Sequence, residues 1–369
     1  MIKTIGVIGG GQLARMMIAP AVELGISLKV LAEHDDSSAK LAATAVGDYT
    51  EYETLRQFAA TVDVITFDHE HVPLALLEKL EAEGINVQPA SSALTFAQNK
   101  LFMRKRLTEL GLPVPDWAEV NSAQDLEKFL NEHDGVAVLK TPTGGYDGKG
   151  VMIVKSVAEA ANWLALGNAL LVEEKVDFVR ELAQLSARNS SGQWASWHVV
   201  QTVQKDGVCS EVYSPAPNAD VTSPAILAKR IAEGLGVTGV LAVEMFETPD
   251  GRLLINELAM RPHNSGHFSI EGSVTSQFEQ HLRAVANLPL GDTSPTVPFS
   301  VMLNLLGVDD ENTFVEHLPE ALKVQGAHVH TYGKSARKGR KMGHITALSD
   351  ISIEEARLIA LKAKEALLA

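Results

Sequence analysis

The chain is 369 residues long, with 46% hydrophobic and 21% charged residues, which is typical of a globular protein too large for one compact core. Its formal net charge of −14 argues against nonspecific binding to nucleic acid, so an anionic ligand would need a local basic pocket. A single cysteine, Cys209, excludes an internal disulfide; with no signal sequence and no run of about 18 apolar residues, we expect a cytoplasmic protein without membrane association.

The N-terminal part, residues 1–97, alternates between strand-like and helix-like patterns. The patterns predict strands in KTIGVIGG, SLKVLAEHD and VDVITFDHE, and helices in QLARMMIAPAVELG and PLALLEKLEAEG. Apolar strands separated by helices are typical of a doubly wound parallel sheet. We therefore expect an α/β domain in this part of the chain.

The central part, residues 98–290, has a different pattern. A predicted helix over residues 100–110 is followed by strand pairs, GVAVLK with VMIVKS and VLAVEMF with RLLINELA, with helices between them. Such hairpins predict an antiparallel α+β domain. The proline-rich stretch LPLGDTSPTVPF then separates a small, β-rich C-terminal domain, residues 291–369, with a basic loop and a closing helix over residues 353–368.

A first glycine motif, G-x-G-x-x-A, is formed by Gly9, Gly11 and Ala14 between the first predicted strand and helix, and Glu33 ends the next strand. This pattern satisfies the dinucleotide-binding fingerprint, so an NAD-binding oxidoreductase is one interpretation. The alternative is a tight turn whose glycines permit close packing. The amides at the helix N-terminus could then hold another anion, such as a substrate phosphate. No motif supplies the acid–base group that a dehydrogenase needs, which disfavours the first interpretation.

A second glycine motif, TGGYDGKG at residues 143–150, follows a predicted strand that ends at Lys140. Four glycines in these eight residues exceed what a hairpin turn requires. Surplus glycines allow backbone N–H groups to surround a phosphate, and Lys140 and Lys149 supply positive charge. The pattern therefore predicts a phosphate-binding flap. It is not a P-loop, because no helix follows and the G-K-[ST] ending is missing.

Two acidic residues, Glu244 and Glu257, lie in the last predicted strand pair. A four-residue turn over residues 249–252 would pair residue 248 with 253 and place Glu244 opposite Glu257. Opposed side chains in an antiparallel pair have Cβ atoms about 4.5–5.5 Å apart, so two carboxylates would repel each other without a cation between them. One or two carboxylates together with substrate phosphates are typical ligands of Mg²⁺. Apolar neighbours on both strands disfavour the alternative, two solvated surface acids.

Two polar segments are candidates for binding an anionic substrate. The segment RPHNSGH, residues 261–267, directly follows the second acidic strand and contains many hydrogen-bond donors. The C-terminal part contains five basic residues within eight positions, interrupted by glycine: Lys334, Arg337, Lys338, Arg340 and Lys341. In an acidic protein, this second segment predicts a pocket for one phosphate monoester rather than a nucleic-acid surface.

The segments TGGYDGKG, LVEE, VEMF…LLINELAMRPHNSGH and YGKSARKGRKMGH resemble the N5-carboxyaminoimidazole ribonucleotide synthetases, and the likeness extends to GVIGGGQLARM at the start. That family consists of ATP-grasp ligases of purine synthesis that join bicarbonate to aminoimidazole ribonucleotide. The resemblance implies an ATP-grasp fold between the two flanking domains, ATP and Mg²⁺ as cofactors, and a homodimer. Biotin carboxylase and formate-dependent glycinamide ribonucleotide transformylase share the general ATP-grasp layout, so their reaction types are the alternatives.

The resemblance also implies a role for individual residues. ATP would be bound by Lys100, Lys140, Gly145, Tyr146, Asp147, Gly148, Lys149, Gly150, Val151, Glu173, Glu174, Lys175, Val176, Glu181, Gln204, Asn256 and Glu257. The ribonucleotide would be bound by Glu70, Tyr146, Arg261, His263, Asn264, Ser265, Lys334, Arg340 and Lys341. Glu244 and Glu257 would hold Mg²⁺. Tyr146, Asp147 and Lys149 would be catalytic, with Asp147 and Lys149 nearest the bicarbonate.

Some positions depart from the pattern of the family. Lys100 and Lys149 stand where relatives often carry arginine, which keeps the charge but loses bidentate geometry. Gln204 stands in place of a histidine that some relatives have near the nucleotide. Ala259 stands where the wider superfamily often has a metal-binding asparagine, and Asn256 is the candidate replacement.

The reaction that the resemblance implies proceeds in two steps, attack of bicarbonate on the γ-phosphate and capture of the released CO₂ by the exocyclic amine. We expect Asp147→Asn to leave ATP affinity largely intact and to lower turnover strongly, because the change removes a charge next to the bicarbonate. Calorimetric titration with ATP and steady-state ADP release measure the two effects. Turnover near that of the unmodified protein would contradict the assignment of Asp147.

Overall fold

The computed structural model describes residues 3–145, 150–309, 311 and 314–368 of the chain. Its N-terminal part consists of β1 (Thr4–Ile8), α1 (Gln12–Glu23), β2 (Ser27–Ala32), β3 (Ala43–Val46), α2 (Tyr52–Ala59), β4 (Val64–Phe67), α3 (Leu74–Ala82) and α4 (Ser91–Gln98). The strands form a parallel sheet in the order β3-β2-β1-β4. Ile8 lies beside Phe67, so the segments that follow β1 and β4 meet at one edge of this sheet.

Both faces of the parallel sheet are covered by helices. Ile5 and Val7 of β1 share a core cluster with residues of α1, whereas Ile8 belongs to a second cluster with residues of α2 and α3. Burial on both faces explains why these strands are nearly continuous apolar runs rather than alternating patterns. The predicted doubly wound α/β arrangement is confirmed.

The central part begins with a smaller antiparallel sheet in which the strand order is β5-β8-β6-β7. Its elements are α5 (Lys100–Glu109), β5 (Trp117–Val120), α6 (Ala123–Glu132), β6 (Ala137–Lys140), β7 (Val151–Val154), a 3₁₀ helix (Val157–Ala160), α7 (Ala161–Leu164) and β8 (Leu170–Glu174). Lys140 at the end of β6 pairs with Val151 at the start of β7. The glycine-rich segment therefore connects two neighbouring strands, as predicted.

A second antiparallel sheet contains nine strands among the described residues, in the order β14-β13-β9-β11-β12-β15-β17-β16 with β10 paired to β9. The remaining elements of the central part are β9 (Arg180–Arg188), β10 (Trp194–Ser196), β11 (Val200–Lys205), β12 (Val208–Ser214), α8 (Thr222–Gly234), β13 (Gly239–Glu247), β14 (Leu253–Ala259), a 3₁₀ helix (Asn264–Gly266), α9 (Ser269–Gly272) and α10 (Gln277–Val285). The predicted antiparallel α+β architecture is confirmed.

The C-terminal part adds its strands to the edge of this same sheet. Its elements are β15 (Phe299–Leu306), α11 (Leu318–Ala321), β16 (Ala327–Thr331), β17 (Lys341–Ser349) and α12 (Ile353–Leu368). Because β12 pairs with β15, the sheet continues across residue 290, and the domain limits at residues 97 and 290 stay predictions. None of the described helices has both the length and the apolar composition needed to cross a membrane.

The hairpin of β13 and β14 places Glu244 directly opposite Glu257, which confirms the predicted pairing of the two carboxylates. The register nearer the turn differs by one residue from the prediction, with Glu247 rather than residue 248 opposite Leu253. A β-bulge between Glu244 and Met245 absorbs this offset, since a bulge inserts one residue into one strand only.

A buried histidine joins the N-terminal parallel sheet to the nine-stranded antiparallel sheet. His281 of α10 accepts a hydrogen bond at Nδ1 from the N–H of Val240 in β13 (3.1 Å). Its proton therefore lies on Nε2, which donates to Thr66 Oγ1 of β4 (2.7 Å). Burial lowers the pKa of His281 to about 3, so the ring stays neutral and serves as a bridge between the two sheets.

Replacing His281 by leucine is expected to lower the free energy of unfolding by about 2–4 kcal/mol, because it leaves a buried N–H and a buried hydroxyl unpaired. Urea denaturation measures the change. The same substitution at the exposed His198 is the matched control and is expected to change stability by less than about 0.5 kcal/mol. Equal stability of the two variants would show that the bridge contributes little.

Candidate active site

A cleft of about 1440 Å³ is lined by residues from all three parts of the chain. The predicted site residues that line this cleft are Glu70, Lys100, Lys140, Gly145, Val151, Glu173, Glu174, Lys175, Val176, Glu181, Gln204, Glu244, Asn256, Glu257, Arg261, His263, Asn264, Lys334, Arg340 and Lys341. Gly150 and Ser265 are adjacent in sequence to lining residues but do not line the cleft themselves. Tyr146, Asp147, Gly148 and Lys149 lie outside the described residues.

The base of the flap, residues 143–150, is held by backbone contacts. The N–H of Thr141 donates to the carbonyl of Gly150 (3.0 Å), and the N–H of Lys100 donates to the carbonyl of Pro142 (2.8 Å). Gly150 has a φ of +70°, and a Cβ there would lie 2.5 Å from Thr141 Oγ1. A glycine is therefore required where the flap returns to β7.

A buried carboxylate, Glu173 at the end of β8, lies between two cations. Arg104 Nε of α5 donates to Oε1, and Lys140 Nζ of β6 lies 2.6 Å from Oε2. Arg104 Nη2 also donates to the carbonyl of Asn256 (2.7 Å), and Lys140 Nζ donates to Asn256 Oδ1 (3.2 Å). Burial lowers the pKa of Lys140, and the nearby Glu173 opposes that effect. Each oxygen of Glu173 thus contacts one cation, Oε1 that of Arg104 and Oε2 that of Lys140.

Arg104 was not among the predicted site residues, although its side chain is fully buried and lines the cleft. A signal for it existed in the sequence. Arg104 follows Lys100 by four residues in α5, and residues four apart lie on the same face of a helix. An arginine on the face that carries a predicted ligand is therefore a candidate for the same site.

The opposed carboxylates Glu244 and Glu257 reach the cleft beside this network. Lys100 Nζ forms an ion pair with Glu257 Oε1, and His263 Nε2 lies 3.4 Å from Glu244 Oε1. Loss of hydration raises the pKa of Glu244 to about 8, with further contributions from Glu257 and Glu181. Within the described residues, no three histidine, cysteine or acidic side chains form a metal-binding group. The pair fits a Mg²⁺ ion that takes its remaining ligands from phosphate and water.

The 261–267 loop is held against the N-terminal part by Glu70. Its Oε1 accepts a hydrogen bond from the N–H of Met260 (2.6 Å), and its Oε2 lies 3.4 Å from Arg261 Nε. His263 Nδ1 accepts from the N–H of Ser265 (3.4 Å), which places the ring proton on Nε2, toward Glu244. Burial lowers the pKa of His263 to about 3, so it is a neutral donor at the cleft.

The basic loop, residues 334–341, reaches the start of α1. Lys334 Nζ donates to Gln12 Oε1 and lies 5.6 Å from the centre of the Tyr332 ring. Burial lowers the pKa of Lys334 to about 8, and the charge of Arg340 adds to that effect. Arg340 Nη1 donates to Ser335 Oγ (2.8 Å). Cationic groups of the C-terminal part thus meet the N-terminal part at one end of the cleft.

The first glycine motif is occupied by the chain's own carboxylates. Asp68 accepts hydrogen bonds from the N–H groups of Gly11 and Ala14 (2.5 and 3.1 Å), and Glu33 accepts one from Gly10 (3.0 Å). A Cβ on Gly11 would lie 2.1 Å from Asp68 Oδ2. The amides that would bind a pyrophosphate are therefore engaged, and the two acids would repel it. Asp68 engages the Gly11 and Ala14 amides, which disfavours the prediction that amides at the start of α1 hold a ligand anion.

The β6–β7 hairpin, the opposed acids and the three-part cleft are the features of an ATP-grasp ligase. Family models match in the same order along the chain: a ribonucleotide synthetase preATP-grasp domain over residues 2–98, an ATP-grasp domain over residues 105–278 and a phosphoribosylaminoimidazole carboxylase C-terminal domain over residues 300–357. The N5-carboxyaminoimidazole ribonucleotide synthase of Mycobacterium tuberculosis (strain ATCC 25618 / H37Rv) is 50% identical over 366 residues, covering 94% of this chain and 84% of the relative. The chain belongs to the N5-carboxyaminoimidazole ribonucleotide synthase family.

Other relatives support this membership. The synthase of Corynebacterium ammoniagenes is 48% identical, covering 92% of this chain and 86% of its own. The solved N5-carboxyaminoimidazole ribonucleotide synthetase from Thermus thermophilus matches with a TM-score of 0.88 at 36% identity, covering 98% of both chains. The Aspergillus clavatus synthase, solved in complex with ADP and 5-aminoimidazole ribonucleotide, matches with a TM-score of 0.89 at 33% identity, covering 99% of this chain and 98% of that one. The oxidoreductase interpretation is wrong.

Proposed function

We propose that this chain uses ATP to join bicarbonate to 5-aminoimidazole ribonucleotide, forming N5-carboxyaminoimidazole ribonucleotide, ADP and phosphate by way of carboxyphosphate. The observation that carries the proposal is the meeting of four groups in one cleft: the Glu173 network, the opposed acids, the 261–267 loop and the basic loop. The first two suit a triphosphate and its metal, and the last two suit a phosphorylated ribonucleotide. A relative named for this reaction is 50% identical to this chain over 366 residues.

The nucleotide is proposed to lie between the small antiparallel sheet and the β13–β14 hairpin. Lys140 places its ammonium group at the phosphates, and Glu173 and Asn256 hold that group in position. Val151, Phe178 and Phe246 line the same cleft with apolar surface, and the two phenyl rings are stacked with centroids 4.6 Å apart. Such surface suits an adenine base. The flap is proposed to exclude water from the reacting phosphate, which protects carboxyphosphate from hydrolysis.

Mg²⁺ is proposed to be held by Glu244 and Glu257. When bound, it would neutralise charge on the phosphates of the nucleotide. The chain's own contribution is to hold two carboxylates on opposed strands, with Lys100 paired to Glu257 and the His263 ring 3.4 Å from Glu244.

The ribonucleotide is proposed to lie with its phosphate at Lys334, Arg340 and Lys341 and its base near Glu70, Arg261 and the 263–265 segment. The neutral His263 would donate from Nε2 without adding charge. Tyr146, Asp147 and Lys149 stay predicted catalytic residues, and the homodimer stays a prediction. A closed site is needed because water would otherwise destroy the reactive intermediate before the exocyclic amine captures CO₂.

Formation of ADP under three substrate conditions tests the proposed function. We expect ADP release that requires both 5-aminoimidazole ribonucleotide and bicarbonate. Glycinamide ribonucleotide with formate, and biotin with bicarbonate, are the matched alternatives, and neither is expected to stimulate ADP release. Stimulation by either alternative, without stimulation by aminoimidazole ribonucleotide, would assign the chain to another ATP-grasp reaction.

Glu244→Gln is expected to raise the Mg²⁺ concentration required for half-maximal ADP release by about 10–100-fold, because one anionic ligand is lost. A magnesium titration at saturating ATP measures the shift. The same substitution at Glu127, an exposed residue of α6, is the control and is expected to leave the titration unchanged. If both variants respond alike to magnesium, Glu244 is not a ligand.

Above about pH 8, kcat/KM for the ribonucleotide is expected to fall by up to tenfold per pH unit. The reason is that the pKa of Lys334 is lowered to about 8 in the free protein, so its charge is present below that pH and lost as pH rises through it. Lys334→Arg keeps the charge at all these pH values and is expected to flatten the profile. Lys323→Arg, at an exposed lysine, is the control. A fall that persists in Lys334→Arg would exclude Lys334 as its cause.

A further inference from the structure

Gln277, the first residue of α10, lies fully buried behind the 261–267 loop. Its Oε1 accepts a hydrogen bond from the N–H of His263 (2.8 Å). Its Nε2 donates to the carbonyl of His263 (2.8 Å) and lies 3.0 Å from His267 Nδ1. A backbone N–H can only donate and a backbone carbonyl can only accept, so the orientation of the Gln277 amide is determined by His263.

The orientation of this amide determines the state of His267. The group that faces His267 Nδ1 is an NH₂ donor, so Nδ1 must accept and the ring proton lies on Nε2. The pKa of His267 is held well below its usual value by burial and by His263, His330, Lys341 and Arg261, so the ring is neutral. His267 is therefore a neutral imidazole whose one N–H is on the side away from Gln277.

The surroundings of His267 leave little freedom for the ring. Its centroid lies 4.9 Å from that of His344 and 5.7 Å from that of Phe278. A Cβ on the neighbouring Gly266 would lie 2.2 Å from Leu185 Cδ2 and 2.5 Å from Gln277 Oε1, so the loop is packed directly on the amide. His267 nevertheless lines the cleft, together with Arg261 and Lys341.

We propose that Gln277 is a positioning residue for the ribonucleotide, and that His267, held by it as the Nε2–H tautomer, donates a hydrogen bond to an anionic oxygen of that ligand. The proposal rests on the proposed function, because it takes the ligand of this end of the cleft to be the ribonucleotide. The cationic Arg261 and Lys341 line the same surface, so an oxygen with negative charge is the acceptor that suits all three groups. His267 lies in the predicted 261–267 segment but was not among the individual site residues, and Gln277 was not predicted from the sequence.

Two substitutions of His267 separate its two nitrogen atoms. His267→Asn keeps an acceptor near the position of Nδ1 and removes the donor at Nε2, whereas His267→Gln keeps a donor near the position of Nε2 and removes the acceptor. We expect His267→Asn to raise KM for aminoimidazole ribonucleotide by about tenfold, with KM for ATP changed less than about twofold. His267→Gln is expected to retain most of the affinity. Thermal melting of both variants checks that they fold.

The tautomer itself can be observed without activity. In ¹⁵N-histidine-labelled protein, two-bond correlations between the protons on ring carbons and the ring nitrogens distinguish the two neutral forms, and the His267 signal is the one lost in His267→Gln. We expect the Nε2–H form in the unmodified protein. Gln277→Glu presents only acceptors to His263 and His267, so the signal is expected to change to the Nδ1–H form or to that of a protonated ring. The Nδ1–H form in the unmodified protein would overturn the proposal.

The outcomes separate the inference from the function on which it rests. If ADP release does not depend on aminoimidazole ribonucleotide in the unmodified protein, the proposed function fails, and the NMR result still decides the tautomer. If that dependence holds but His267→Asn and His267→Gln both keep the original KM, or both raise it equally, His267 serves packing alone and the inference fails.

Discussion

The Glu173 carboxylate, buried between the side chains of Arg104 and Lys140, is the interaction on which the rest of the site depends. Taking these charges out of water costs free energy that their mutual attraction and hydrogen bonds must offset, and removal of one partner of a buried pair typically costs about 3–5 kcal/mol. The network therefore tolerates few arrangements of α5, β6, β8 and β14. By fixing α5, it determines where Lys100 meets Glu257.

Charge is distributed over the molecule in a way that suits an anionic ligand. The chain carries a net charge of −14, yet lysine, arginine and histidine side chains from distant segments meet in one cleft. Burial within that cleft shifts the protonation of its members, lowering the pKa of Lys334 to about 8 and raising that of Glu244 to about 8. These opposite shifts have one cause, since a desolvated site disfavours charge of either sign until a ligand of opposite charge arrives.

In the N-terminal part, a glycine motif typical of dinucleotide sites has a different role. The turn after β1 has the glycines of a dinucleotide site, but Asp68 occupies the amides at the start of α1. An internal carboxylate there satisfies the helix N-terminus as an external phosphate would. Gln12 and Glu70 of the same region line the cleft, where Gln12 contacts Lys334 of the C-terminal part.

The amino-acid sequence by itself determined the parallel α/β character of the N-terminal part, the glycine-rich connection between β6 and β7, and the opposition of Glu244 and Glu257, because alternation, glycine content and hairpin register are local properties. The tertiary structure alone decided three contacts. Asp68 accepts from an amide before α1, Glu173 contacts Arg104 and Lys140 through its two oxygens, and Gln277 sets the proton position on His267. Each of these contacts joins side chains from different elements of the fold. Spacing along a chain carries no information on such contacts, since they are specified by the packing of whole sheets and helices against one another.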